Sequence, residues 1–268
     1  MKKTIALIAP LALAALLPLN AAAQTAAPWK WQGAISLYMP TVSGKTVFSQ
    51  PAPASDISVN TDDILGVKGF FMGTLEANNG RWGGFTDVVY LDVGGSKSGS
   101  FDMRVGGAQL PVGASASAQL DIKGWAWTLA GTYRVVTKPD YTMDVIGGAR
   151  LLDIKQTLDW NLAGNIGSVP LPGRAGNLNT SLSNWDAIIG VKGRFAFGQD
   201  KKWFAPYYLD VGTGNSDLTL QAVAGIGYAF KWGDVLASWR YIDYKMKSGS
   251  KIEDMNFNGP AVSAVFHW

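Results

Sequence analysis

The stretch GWAWTLAGTYRVV, residues 124–136, decides the fold. Trp125, Trp127, Leu129, Gly131, Tyr133 and Val135 alternate with Ala126, Thr128, Ala130, Thr132 and Arg134. Successive side chains of a strand point to opposite sides, so the segment has one greasy face and one small or charged face. NWDAIIGVKGRFAF, residues 184–197, repeats the pattern. Trp185, Ala187, Ile189, Val191, Gly193, Phe195 and Phe197 share a face, and Asp186, Lys192 and Arg194 lie opposite. A soluble sandwich alternates in the same way, so period two alone leaves two architectures open.

The links between strands decide between them. Strands are expected at Lys30–Val42, Val67–Ala77, Trp82–Gly94, Ala114–Val135, Tyr141–Trp160, Thr180–Phe197, Trp203–Gly212, Leu218–Phe230, Val235–Lys245 and Asn256–Trp268. Links after the first, third and fifth are about twenty residues long, whereas NNGR, TKPD, GQDK and KWGD are tight turns. Long links alternating with short turns are the pattern of an up-and-down transmembrane barrel. Aromatics mark the same boundary: Trp29, Trp31, Trp82, Tyr133, Tyr141, Phe195, Trp203, Tyr228, Phe230, Phe266 and Trp268 all sit beside short turns or a terminus. Trp185 and Phe195 share a face ten residues apart. At roughly 3.3 Å per residue and a tilt near 45° they are separated by about 23 Å of height, close to the apolar band of such barrels, about 25 Å. The expected fold class is therefore all-β, a transmembrane antiparallel up-and-down β-barrel of about ten strands, with eight or twelve the other even counts open.

The ends and the composition agree with export. Residues 1–23 open with Lys2 and Lys3, run apolar from Thr4 to Leu19 and end in Ala21-Ala22-Ala23. That is the layout of a cleaved secretory signal, leaving residues 24–268 as one outer-membrane barrel domain. Of 23 Lys+Arg and 20 Asp+Glu, removal of two lysines leaves 21 against 20, a charge of about +1. No basic surface for nucleic acid is implied. Cysteine is absent and histidine single, which excludes disulfide frameworks and disfavours transition-metal sites. No cofactor is expected.

The pentapeptide YLDVG occurs at Tyr90–Gly94 and again at Tyr208–Gly212. Both copies are expected at strand tops, with Asp210 inward. If Asp92 also faces inward, strict alternation turns Asp87 to the lipid, and a β-bulge between them would restore both to the interior.

PYYLDVGTG at Pro206–Gly214, GRWGGFTDVVYLD at Gly80–Asp92 and FNGPAVSAVFHW at Phe257–Trp268 carry a family resemblance. The chain resembles the small outer membrane β-barrel proteins of proteobacteria, the group with outer membrane protein A-like and W-like barrels. It is nearest to a branch with the PYYLDVGTG strand. The likeness spans nearly the whole mature chain and implies fold and outer-membrane location more firmly than activity. Val262, Ala264, Phe266 and Trp268 resemble the assembly signal read by the barrel-insertion machinery, with tryptophan in place of the usual terminal phenylalanine.

Three motifs fail as ligand sites. VSGKT at Val42–Thr46 has Met39 where a phosphate loop needs its first glycine. GTGNSD at Gly212–Asp217 lacks the third glycine of a dinucleotide fingerprint and precedes a strand. DISVNTDD at Asp56–Asp63 lacks calcium-loop spacing. No catalytic residue is nominated. His267 is expected at the barrel floor, away from the outer rim where histidine-dependent barrel enzymes act, so catalysis is disfavoured.

Charge on the non-lipid face is the strongest physical signal. Glu76, Arg134, Asp144, Arg150, Lys192, Arg194, Asp210 and Arg240 all fall there. Facing mid-bilayer lipid would cost an Arg or Lys about 2–4 kcal/mol, and buried charges of both signs tend to pair. Arg134 and Asp144, either side of TKPD, are the expected pair. The leading expectation is a structural or surface-interaction barrel closed by ion pairs. Its outer loops Ser43–Gly66, Gly95–Gly113 and Asn161–Asn179 would meet outer membrane lipids and lipopolysaccharide. The alternative is a passive, porin-like channel for small polar solutes, or a lateral conduit for apolar ones.

Overall fold

The computed structural model describes residues 27–49, 57–64, 67–98, 102–105, 108–109, 114–166 and 169–268, with side chains at 27–49, 71–94, 119–161 and 175–268. The expected signal, residues 1–23, lies outside the described residues. The described strands are β1 (Lys30–Tyr38), β2 (Thr41–Phe48), β3 (Ile57–Ile64), β4 (Val67–Asn78), β5 (Trp82–Ser98), β6 (Asp102–Val105) and β7 (Ala108–Gln109). They continue with β8 (Ala114–Thr137), β9 (Tyr141–Ile166), β10 (Val169–Phe197), β11 (Trp203–Gly214), β12 (Ser216–Ala229), β13 (Asp234–Met246) and β14 (Ile252–His267).

These segments make ten staves. β1 and β2 keep one register against β14, from Gln32↔His267 to Thr41↔Asn258, across the break at Met39–Pro40. Pro40 has no N–H to give to a ladder, while Met39 N still donates to Pro260 O at 3.0 Å. β4 is prolonged by β3, β5 by β6 and β8 by β7, each antiparallel to its neighbour. β1 pairs with both β4 and β14, which closes the barrel wall.

Turns close one end. Asn79 Oδ1 accepts from Arg81 N at 3.1 Å and Trp82 N at 2.8 Å, and Gly80 takes φ 88°, a conformation glycine adopts without strain. In the turn at 198–202, Asp200 Oδ1 accepts from Lys202 N, which holds that carboxyl below its usual range. The other end differs from expectation. Ranges 43–66, 95–113 and 161–179 were expected as loops, yet their described residues are largely strand: β2 with β3, β6 with β7, and β9 with β10 from Val169↔Ile166 onward. Their Gly, Ala and Ser content gives weak strand propensity. The ladder of a neighbouring stave supplies what propensity does not.

Each long stave reverses its polarity part-way. On β9 the outer face reads Met143, Val145, Gly147, Ala149 and Leu151, then Asp153, Lys155, Thr157 and Asp159. The inner face runs the other way, from Asp144 and Arg150 to buried Leu152, Ile154, Leu158 and Trp160. The outer face switches between Trp125 and Lys123 on β8, Trp185 and Ser183 on β10, and Tyr241 and Asp243 on β13. In the turn half, apolar side chains face outward, with Ile35 61% and Ile189 67% exposed. In the hairpin half they face inward and pack into one core around Tyr38, Leu91, Leu152, Ile154, Ile242 and Phe257. A band in oil with a sealed extension in water requires this inversion. Ring contacts trim the band: Trp82–Tyr133 at 4.6 Å and Trp203–Tyr228 at 5.0 Å by the turns, Tyr90–Trp125 at 4.5 Å on the far side.

The bulge expected between Asp87 and Asp92 is not there. β5 keeps unbroken register with β8 from Trp82↔Tyr133 to Ser98↔Ser117. Phe85, Asp87, Val89, Leu91 and Val93 are buried, while Asp92 lies on the outer face with Tyr90, 3.3 Å from Lys123. The two copies of YLDVG therefore face opposite ways: Asp210 is buried inside and Asp92 is outside. The first copy sits where the stave has begun to reverse, so its aspartate reaches water outward and needs no bulge.

Candidate functional site in the barrel lumen

Glu76, Arg134, Asp144, Arg150, Lys192, Arg194, Asp210 and Arg240 all lie on the inner face, arranged in two layers. The layer nearest the turns is open to water. Arg134 Nε and Nη2 donate to Asp144 Oδ1 and Oδ2 at 2.6 and 3.0 Å. Lys192 Nζ donates to Glu76 Oε2, which also accepts from Gln32 Nε2 at 2.9 Å, and the ammonium stands 4.9 Å from the Phe85 ring centroid. Arg194 lies 3.9 Å over the Phe204 ring and 3.6 Å from Asp234, whose carboxylate is 3.1 Å from His267 Nε2.

The deeper layer is dry. Arg150 and Asp210 form a two-point pair with both side chains at 0% exposure; Nη1 donates to Oδ1 at 3.0 Å and Nη2 to Oδ2. Thr128 Oγ1 accepts from Arg150 Nε at 3.1 Å and Thr219 Oγ1 from Nη1 at 3.4 Å. Arg240 reaches across from β13 to Asp87 on β5, donating through Nη1 at 3.2 Å and Nη2 at 2.5 Å. Thr74 donates to the same carboxylate at 2.9 Å, and Gln221 Oε1 accepts from Arg240 Nη2 at 3.2 Å. The geometry is the planar guanidinium fork that suits a carboxylate. Above both pairs begins the apolar core of the hairpin half.

Alternation nominated eight of these residues but missed Asp87, Asp186 and Asp234 as members of the buried set. Asp87 was misread through its neighbour Asp92. Asp186 was already on the charged face of β10, and accepts from Ser216 N at 2.8 Å and Asn184 Nδ2 at 3.1 Å. Asp234 opens β13 immediately after the KWG turn, where alternation has no preceding residue to set its phase.

Below the deep pairs lies a cavity of about 310 Å³, opening at the turn end and lined among others by Phe85, Arg194, Phe204, Leu236 and Arg240. The lumen is thus a cup rather than a tube. At the terminal stave, Val262, Phe266 and Trp268 face outward, 47%, 44% and 66% exposed, with Ala264 on the same face.

The fold matches solved outer-membrane barrels. The outer membrane protease OmpT of Escherichia coli aligns with a TM-score of 0.55 at 11% identity, over 89% of this chain and 97% of that one. At such identity the likeness carries the fold and no chemistry. Ail, the attachment invasion locus protein of Yersinia pestis, aligns with a TM-score of 0.27 at 12% identity, over 90% and 99%. CarO of Acinetobacter baumannii gives 0.28 at 12%, over 87% and 98%. Nothing rests on these two lower scores. No family model matches the chain, and no curated protein matches it in sequence. The chain is an all-β, closed antiparallel ten-stave barrel of the Gram-negative outer-membrane type.

Proposed function

We propose that the protein is an outer-membrane barrel with a structural or surface-interaction role, closed to through-conduction. One observation carries this reading: Arg240–Asp87 reaches across the lumen from β13 to β5, Arg150–Asp210 packs beside it over β10, and an apolar core lies beyond them. A hydrated path would have to cross both. The short turns and the termini are assigned to the periplasm and the long hairpins to the exterior. Outer membrane lipids and lipopolysaccharide then meet the apolar band and the polar outer face above it. The row Val262, Ala264, Phe266 and Trp268 is positioned on the lipid face as an assembly signal would be.

The same reading assigns no catalysis, because the sole histidine, His267, lies at the turn end beside Asp234, away from the hairpin end. The alternative, a passive porin-like channel for small solutes, would need the hairpin-half core to part. Planar-bilayer recording on refolded protein tests the choice. The expected result is no steady conductance at moderate voltage. A stable, ohmic open level in most insertions would refute closure and promote the channel.

A further inference from the structure

The cup at the turn end has the features of a ligand site. Its volume, about 310 Å³, is at the lower end of small-molecule pockets, which span about 300–1,000 Å³. With a liquid water occupying about 30 Å³, it has room for roughly ten non-hydrogen atoms. Its walls are largely apolar, from Phe85, Phe204, Val223, Leu236 and Val265. Pockets of this kind hold the body of a ligand by apolar contact and orient it with a few polar groups.

One cationic group provides the orienting polar point. Arg134, Arg150 and Arg240 each grip a carboxylate with two nitrogens. Arg194 has no such partner among the described residues: Asp234 stands at 3.6 Å and is shared with His267. Its guanidinium is held flat against Phe204 and is 41% exposed at the mouth of the cup. A pre-positioned guanidinium with unused donors is suited to a carboxylate. At the closed end, Arg240 is 4% exposed and its Nη atoms are taken by Asp87, so this guanidinium is part of the cup's floor.

We propose that the cup binds a small amphipathic carboxylate entering from the turn end. Arg194 takes the carboxylate at the mouth, and the apolar walls take the body. A closed barrel needs no such site, so failure of this proposal leaves the closure reading intact.

Isothermal titration of the protein in nanodiscs with 4-hydroxyphenylacetate tests it, with empty nanodiscs as the partition control. The expected result is saturable one-site binding, weakened about tenfold or more for 4-hydroxyphenylacetamide, since loss of charge removes the Arg194 contact. Arg194→Gln, at an exposed position that leaves the deep pairs untouched, should weaken the acid about tenfold and leave the amide nearly unchanged. Val223→Trp, which fills the cup, should abolish binding of both while the heat-modifiable folded band persists. Absence of saturable binding at millimolar acid, or equal affinity in wild type and Arg194→Gln, would overturn the proposal.

Discussion

Arg150→Met separates a dry lumen from a wet one. The substitution keeps an unbranched side chain of similar reach but removes the counter-charge of Asp210, which has 0% side-chain exposure. Thr128 and Thr219 lose the donors they accept from as well. Breaking a buried pair by deleting one partner costs about 3–5 kcal/mol, because the orphaned charge stays desolvated. Arg134→Met strands Asp144 beside the open cup, where Arg134 retains 22% side-chain exposure and water can re-solvate the acid. There the loss should be nearer the value of a charged hydrogen bond, about 1.5–3 kcal/mol. Adding Asp210→Leu to Arg150→Met should recover most of the loss, since replacing both members of a buried pair by apolar groups is often neutral. Urea unfolding in mild detergent, followed by tryptophan fluorescence and the heat-modifiable gel band, measures all three variants. Equal losses for Arg150→Met and Arg134→Met, or no recovery in the double variant, would refute a dry deep layer and with it the basis for closure.

Two further outcomes follow from the inverted staves. Cysteines placed at Asn177 or Ser181, on the outer face of β10 above the band, should react with an impermeant maleimide on intact cells, and a cysteine at Gln199 should stay protected until the outer membrane is opened; the reverse labelling would invert the assigned orientation. Ile189→Arg, at the 67% exposed centre of the lipid-facing band, should cost about 2–4 kcal/mol, whereas Asn177→Arg above the band should change stability by about 0.5 kcal/mol or less. Comparable effects by chemical unfolding in lipid vesicles would place the band elsewhere.

Much of the wall was legible because turn residues and period two are local signals. NNGR and GQDK mark turns where Gly80 and Gly198 take positive φ, and Trp185 and Phe195 bracket the band on one face of β10. Eight of the lumen charges followed from alternation alone, whereas Asp87, Asp186 and Asp234 did not. The tall hairpins were not legible, because segments such as NLAGNI, residues 161–166, become strand through ladder partners distant in sequence. Asp92 shows a second limit. Its five-residue context is identical to that of Asp210, yet the two face opposite sides, since inward and outward exchange their solvents along the stave. A pattern read on the assumption of one environment per face places such residues wrongly. The partners inside the lumen, Arg150 with Asp210 over β10 and Arg240 with Asp87 across the barrel, depend on how the staves come together and were likewise beyond the sequence.

On the proposed closure, the obstruction among the described residues is made of side chains belonging to the staves themselves, including β5, β8, β9, β11 and β13. An obstruction of that kind has no hinge of its own. A constriction formed by an inserted loop can swing aside while the wall stays intact, but here every blocking group is tethered to a hydrogen-bonded ladder that cannot widen without rupturing. Among the described residues, voltage or a binder at the hairpin end therefore has no blocking group to act on apart from the wall itself. If solute ever crosses this molecule, the passage must coincide with failure of the wall, and it would be seen as erratic bursts ending in loss of the folded protein rather than as repeated opening and closing.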